Sequence, residues 1–291
     1  MRALRIIGGL FTVAVLAGPV GATSPRPAVP ADARSAVSGA ADAFATESRF
    51  LIAREHYVQE VRTPAASFGA TAGRVTESRT TDAEVAFAQV VTDGAWMMTR
   101  RVDRLDGRPI APDGGPRLDQ ATSEAEVLER LRGLANDGAR WNIGRTWRNM
   151  NTPTLAIWFM TSQMADRFTF KDEGTERLPV AGVCRVVRFT ETATPPVMHI
   201  AGTPARTHGR VWLEPGSGSV AKTELIVEGH RPDMAAERAT VIVTYAPSTE
   251  LPVWVPATML ERYEGGRDDP RVIATATYTD VRQFTVRMRI R

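Results

Sequence analysis

The residues best suited to chemistry crowd into RWNIGRTWRNMNTPTLAIW, positions 140–158, which hold three tryptophans, three arginines and three asparagines. Two readings of that stretch stand. In one, Arg140, Arg145 and Arg148 bind phosphates while Trp141 and Trp147 stack on bases, the combination used on single-stranded nucleic acid. In the other, the stretch is a structural loop. Arg145, Arg148, Asn149 and Asn151 then tie up loop amides and helix-end carbonyls, and the tryptophans plug the open edge of a sheet. The charge balance and the export signal described below favour the second.

Elsewhere, side chains of catalytic type do not fall into catalytic spacings. His56, His199, His208 and His230 include no pair at the i, i+4 spacing of a helical zinc site. Gly216-Ser-Gly-Ser219 with Lys222 lacks the frame of a phosphate loop and precedes a strand instead of a helix. Gly216-Ser217-Gly218 also lacks the frame of a nucleophile elbow. Cys184 is the single cysteine, so no intramolecular disulfide can form. Its setting in Val183–Phe189 alternates like a strand without a basic partner, which describes a buried apolar thiol. The sequence therefore designates no catalytic residue, no metal ligand and no cofactor. A hydrolase assembled only in space is left as the weakest of three function classes.

The compartment is written at the N-terminus. A basic start with Arg2 and Arg5, an apolar run Ile6–Ala17 and the small residues Val20-Gly-Ala22 form the pattern of a secretory signal peptide. The apolar run is shorter than the roughly 20 residues that span a bilayer, and no later segment is long and apolar enough to do so. The chain is expected to be exported, periplasmic or extracellular. Its expected parts are a signal peptide over 1–22, a flexible Ala/Pro/Ser-rich tether over 23–40 and one domain over 41–291. Of 36 Lys and Arg, two leave with the signal, so 34 face 33 acidic residues, and lysine occurs only at 171 and 222. A nearly neutral chain without a basic stripe is not built for nucleic acid.

The elements that must position these residues are mostly strands. Ala41 to Leu51 reads as a short helix, and His56–Val61 alternates as a strand. Ala83–Val91 and Ala95–Val102 flank Asp93-Gly94, and Asp106-Gly107 repeats that hairpin signal before Arg108. Arg210–Leu213, the turn Glu214–Ser219 and Ala221–Val227 form another hairpin. Strands follow at Thr240–Tyr245, Trp254–Leu260, Ile273–Tyr278 and Phe284–Ile290. Two helices interrupt the meander. One opens on the capping box Ser123-x-x-Glu126 and carries Val127, Leu128, Leu131, Leu134 and Ala135 on one side. The other is capped by Thr152 with Pro153 at its first position, and Leu155–Met160 is apolar nearly all round. The fold class expected is α+β: a single curved antiparallel sheet, or half-barrel, with helices packed in its concave face.

The initial helix running into Glu55-His-Tyr-Val-Gln59, the long meander, and the hairpin Val211-Trp-Leu-Glu-Pro-Gly-Ser-Gly-Ser-Val220 leading to Lys222-Thr-Glu-Leu225 resemble the lipoprotein-carrier (LolA-like) group. That group includes sensor domains of envelope-stress regulators. Asp106–Pro109 and Arg148–Thr154 are similar to blocks in uncharacterised secreted bacterial proteins. The resemblance implies a half-barrel enclosing a pocket for a lipid or acyl chain, lined by Trp158, Phe159, Met160 and Met164. The same four side chains would equally suit an ordinary core. A non-enzymatic binder of a hydrophobic ligand in the cell envelope is the leading expectation. An envelope protein-interaction module without a small ligand is the alternative.

Overall fold

Leu51, Ala53, Glu55, Tyr57, Gln59 and Val61 are buried, while Arg54, His56, Val58 and Glu60 between them are not. That period of two defines a strand with one dry face, here β1 (Phe50–Arg62). The computed structural model describes residues 32–64, 73–89, 96–110, 138–144, 151–200, 203–229, 237–265 and 270–283. They belong to one unit, Ala31–Arg291.

Chain order runs from α1 (Ala33–Glu47) through β1 to β2 (Val75–Gln89), β3 (Trp96–Leu105) and β4 (Arg108–Pro109). A second helix, α2 (Leu155–Met160), precedes β5 (Phe168–Leu178), β6 (Gly182–Glu191) and β7 (His199–Ile200). The remaining strands are β8 (Thr203–Leu213), β9 (Val220–Gly229), β10 (Glu237–Ala246), β11 (Val255–Glu264) and β12 (Arg271–Gln283). Among the described residues these strands make one open antiparallel sheet in the order β4-β3-β2-β1-β12-β11-β10-β9-β8-β6-β5, with β7 on β8. The chain enters mid-sheet at β1, steps out to β4, crosses to the opposite edge at β5 and returns to close β12 against β1. Between β4 and β5 the described residues are 138–144 and 151–167, and they form the crossing segment discussed below.

The inward phase of β1 continues as Ala83, Val85 and Phe87 on β2, Val272, Ala274, Ala276 and Tyr278 on β12, and Val241, Val243 and Tyr245 on β10. Val37, Ala41 and Phe44 of α1 and Ile157, Phe159 and Met160 of α2 join the same core. A separate cluster of Cys184, Val186, Trp212 and Ala221 lies in the opposite phase of β6, β8 and β9.

Three helix boundaries differ from expectation. The helix α1 begins at Ala33, inside the stretch expected to be a tether through Ala40. Asp32 caps it by accepting from the Ser35 amide at 3.0 Å, and the alanines between favour helix. It ends at Glu47, and Phe50–Leu51 belong to β1. In α2 the N-cap is Thr154, not Thr152, because Pro153 and Thr154 form a preceding turn in which the Leu155 amide donates to the Thr152 carbonyl. The helix expected over 123–135, the Asp93-Gly94 turn and the strand Phe284–Ile290 lie outside the described residues.

The Asp106-Gly107 hairpin is as expected. Both residues have positive φ, +48° and +76°, the signature of a type I′ turn. Gly107→Ala places a Cβ in that left-handed region and is expected to cost about 1 kcal/mol in urea denaturation.

Candidate functional site

The crossing segment is held to the sheet through its backbone. Four polar side chains in the inward phase of four strands reach it. Gln59 of β1 donates to the Trp141 carbonyl at 3.0 Å and accepts from the Ile143 amide at 3.3 Å. Arg100 of β3 donates to the Asn151 carbonyl at 3.0 Å, and Tyr245 of β10 donates to the Pro153 carbonyl at 2.7 Å. Arg79 of β2 adds a bond to the Trp141 carbonyl at 3.3 Å. The fastened backbone steps from β1 and β3 toward β10, and α2 follows where it touches α1 and β9.

These fasteners belong to a buried polar lane on an otherwise apolar face. Arg100 grips Glu55 with two bonds, 2.5 and 3.0 Å, and sits 4.9 Å over the Tyr57 ring. Glu261 accepts from Tyr57 at 2.9 Å and from Tyr263 at 2.7 Å. Tyr57 reaches Glu261 across β12, where Ala274 and Ala276 leave room. All four tyrosines of the chain, at 57, 245, 263 and 278, are buried here. Burial would strip charge from Arg100, but the Glu55 carboxylate outweighs it and holds the guanidinium protonated beyond its ordinary range. Burial, reinforced by Glu55 and Glu261, pushes the Tyr278 phenol well above its ordinary value. Both oxygens of Glu55 and of Glu261 are occupied by donors, so the lane is arranged for holding. Among the described residues no group of three or more His, Cys, Asp or Glu could hold a metal ion.

The residues expected to line a pocket separate into two kinds. Phe159 and Met160 are fully buried. Trp158 and Met164 are half-buried against the same core. An aromatic file runs inward from Trp158: its ring centroid is 5.3 Å from Phe159, Phe159 is 5.6 Å from Phe168, and Phe168 is 6.0 Å from Phe189. Of the loop residues, Asn151 is buried with its carbonyl on Arg100. Arg145, Arg148 and Asn149 lie outside the described residues. Arg140 stacks 4.7 Å over the Trp141 ring.

The outer face neutralises its own charge. Arg188 and Arg210 pair with Glu173, Arg54 with Asp103 and Arg238 with Glu228, across neighbouring strands or over one intervening strand, while Arg185 pairs with Asp172 in the inward phase of β6 and β5. Trp212 is sealed there by Glu176, which accepts from its indole at 2.8 Å, and by Lys222 at 4.1 Å over its ring. Burial raises the neighbouring Cys184 thiol, with Glu214 and Glu176 adding to the effect, so it is a poor nucleophile. His208 on this face is lowered by burial, against the pull of Glu228 and with the help of Arg238, Arg188 and Arg206. A depressed histidine favours the folded state when neutral. Its contribution is present above the unfolded value of about 6.5 and is lost as pH falls through the folded value. His208→Gln is expected to flatten the pH dependence of stability below about pH 6.5, read by urea midpoints at several pH values.

Sequence reasoning missed the polar lane. Its signal was phase: Glu55, Gln59 and Glu261 occupy inward positions of strands whose other inward residues are apolar. No protein-family model and no curated protein matches this sequence. Among the described residues no helix is long and apolar enough to cross a membrane.

Proposed function

We propose that this chain is an exported, LolA-like half-barrel whose curved sheet takes α1 and α2 into its concave side and binds a lipid or another hydrophobic ligand there, without chemistry. The observation that carries the reading is the aromatic file from half-buried Trp158 through Phe159 and Phe168 to Phe189. These side chains run from the surface into the core, and apolar aromatic side chains of this kind line pockets for apolar ligands. Support comes from the way the cover is attached. Gln59, Arg100 and Tyr245 grip backbone carbonyls ahead of α2, so the cover is attached through its backbone, with the adaptable Met164 beside half-buried Trp158 at its outer end. Native mass spectrometry of protein purified from the cell envelope tests the reading. Co-purifying amphiphile in the complex is expected, and its consistent absence together with failure to bind added lipid overturns the reading.

One observation favours an interaction module instead. The edge strand β5 is mostly exposed, and its hairpin to β6 presents Val180 at 72% and Val183 at 43% exposure. On that reading, charged substitutions at both valines abolish partner capture from envelope extracts and leave lipid binding unchanged.

A further inference from the structure

The sheet is open, and β5 is one of its two edges: among the described residues no strand lies on its outer side. Every residue of β5 from Lys171 to Arg177 is exposed. An edge in that condition offers a row of free N–H and C=O groups, and the extended chain most often beside it is the same edge of a second copy.

Three features of β5 work against such an addition. Asp172 pairs with Val187 and Thr175 with Arg185, so β5 uses two residues between them where β6 has one. Gly174 sits in that bulge with a φ of +86°, and a Cβ there would meet nothing within 4 Å. The glycine therefore answers a backbone need and not a lack of space. A bulge bends its strand and raises the twist, which breaks the straight hydrogen-bonding row that a newcomer must follow.

The second feature is an inward charge. Asp172 is in register with buried Val187, and Arg185 holds its carboxylate with two bonds of 2.7 and 2.5 Å. The Asp172 side chain is still 48% exposed, and an added strand would strip water from this ion pair. The third is Lys171, one of two lysines in the chain, which stands next to Asp172 in register with Arg188. An edge lysine keeps its ammonium in water and resists being covered. The far edge reaches the same end by other means: β4 has two residues and ends in Pro109, which has no amide hydrogen to offer.

We infer that β5 is built to refuse a second copy of this chain as an added strand, through the Gly174 bulge, the inward Asp172–Arg185 pair and Lys171. The inference stands apart from the ligand reading, since it concerns the border of the sheet and not its concave side.

Deletion of Gly174 restores one-to-one pairing with β6 and leaves Asp172 and Thr175 in their present phase. Sedimentation velocity and amide hydrogen exchange, each over a range of protein concentrations, compare wild type, this deletion, and Lys171→Thr/Asp172→Val with the bulge intact. Wild-type β5 amides are expected to exchange at a rate independent of concentration. The deletion variant is expected to self-associate at about tenfold lower concentration than wild type, the value of one to two neutral hydrogen bonds, with its β5 amides slowed as association proceeds. The side-chain variant is expected to move in the same direction. Concentration-dependent protection of β5 in the wild type overturns the inference, because the edge then already accepts a copy. A folded deletion variant that matches wild type in both measurements overturns it, as does association that leaves the β5 amides unprotected. If circular dichroism shows the deletion variant unfolded, the side-chain variant decides, and its failure to associate through β5 is the overturning result.

Discussion

Arg100→Ala is expected to lower the free energy of unfolding by about 3–5 kcal/mol, the range for breaking a buried ion pair by removing one partner. Arg100 and Glu55 side chains are 4% and 0% exposed, so removal of the guanidinium leaves a carboxylate in the core with neither solvent nor a cation. The Asn151 carbonyl loses its donor in the same step, which adds an unsatisfied backbone group at the entrance to α2. Urea denaturation of wild type, Arg100→Ala and the double variant Arg100→Met/Glu55→Leu separates these contributions. The double variant removes both charges and is expected to recover most of the loss, because an apolar replacement of a whole buried pair is often neutral or better. A single variant within about 1 kcal/mol of wild type would mean that water reaches Glu55 and that the lane is not dry.

The second large effect is at α2. Phe159→Ala is expected to cost about 3–5 kcal/mol, the penalty for emptying a fully packed aromatic position. Phe159 is 0% exposed and lies between the Trp158 and Phe168 rings, so no neighbour can close the gap without leaving its own contacts. Trp158→Phe keeps an aromatic ring at a half-buried site and is expected to cost much less. A large difference between the two variants in urea midpoint, at unchanged denaturant slope, identifies the inner end of the aromatic file as core and the outer end as surface. Similar losses at both would place Trp158 in the load of the fold as well.

Local chemistry was readable wherever it decides structure locally. Asp106-Gly107 specifies its turn because both residues tolerate positive φ, and the alternation of Thr240–Tyr245 follows from one buried face. The Gly216–Ser219 segment is the hairpin turn expected. Glu214 accepts there from the Gly216 and Ser217 amides, which holds its carboxyl below the usual range. What was not readable depends on partners far along the chain. Val75–Thr80 is rich in polar residues and shows no apolar alternation, yet it extends β2 because β1 pairs with it along its whole length. The helix α2 begins after Thr154 rather than Thr152, and the Pro153 carbonyl just ahead of it accepts from Tyr245, on a strand some ninety positions later. The polar lane has the same origin. Glu55 and Arg100 are each implausible core residues, and only the pairing of β1 through β2 to β3 shows that each answers the other.

The position of β12 has a consequence for how the protein comes into being. Leu51 pairs with Gln283 and Arg62 with Arg271, so the first and last strands form one seam in the middle of the sheet. Until β12 is delivered, β1 and β11 each present an uncovered hydrogen-bonding row, and strands in that condition recruit other chains. On the export reading proposed above, a chain threaded N-terminus first through a translocation channel carries both rows for almost the whole transit. It becomes self-contained only when its final described strand emerges. Losing that strand does not shorten the sheet; it leaves two half-sheets with adhesive borders, a substrate for escort proteins and proteases before it is anything else.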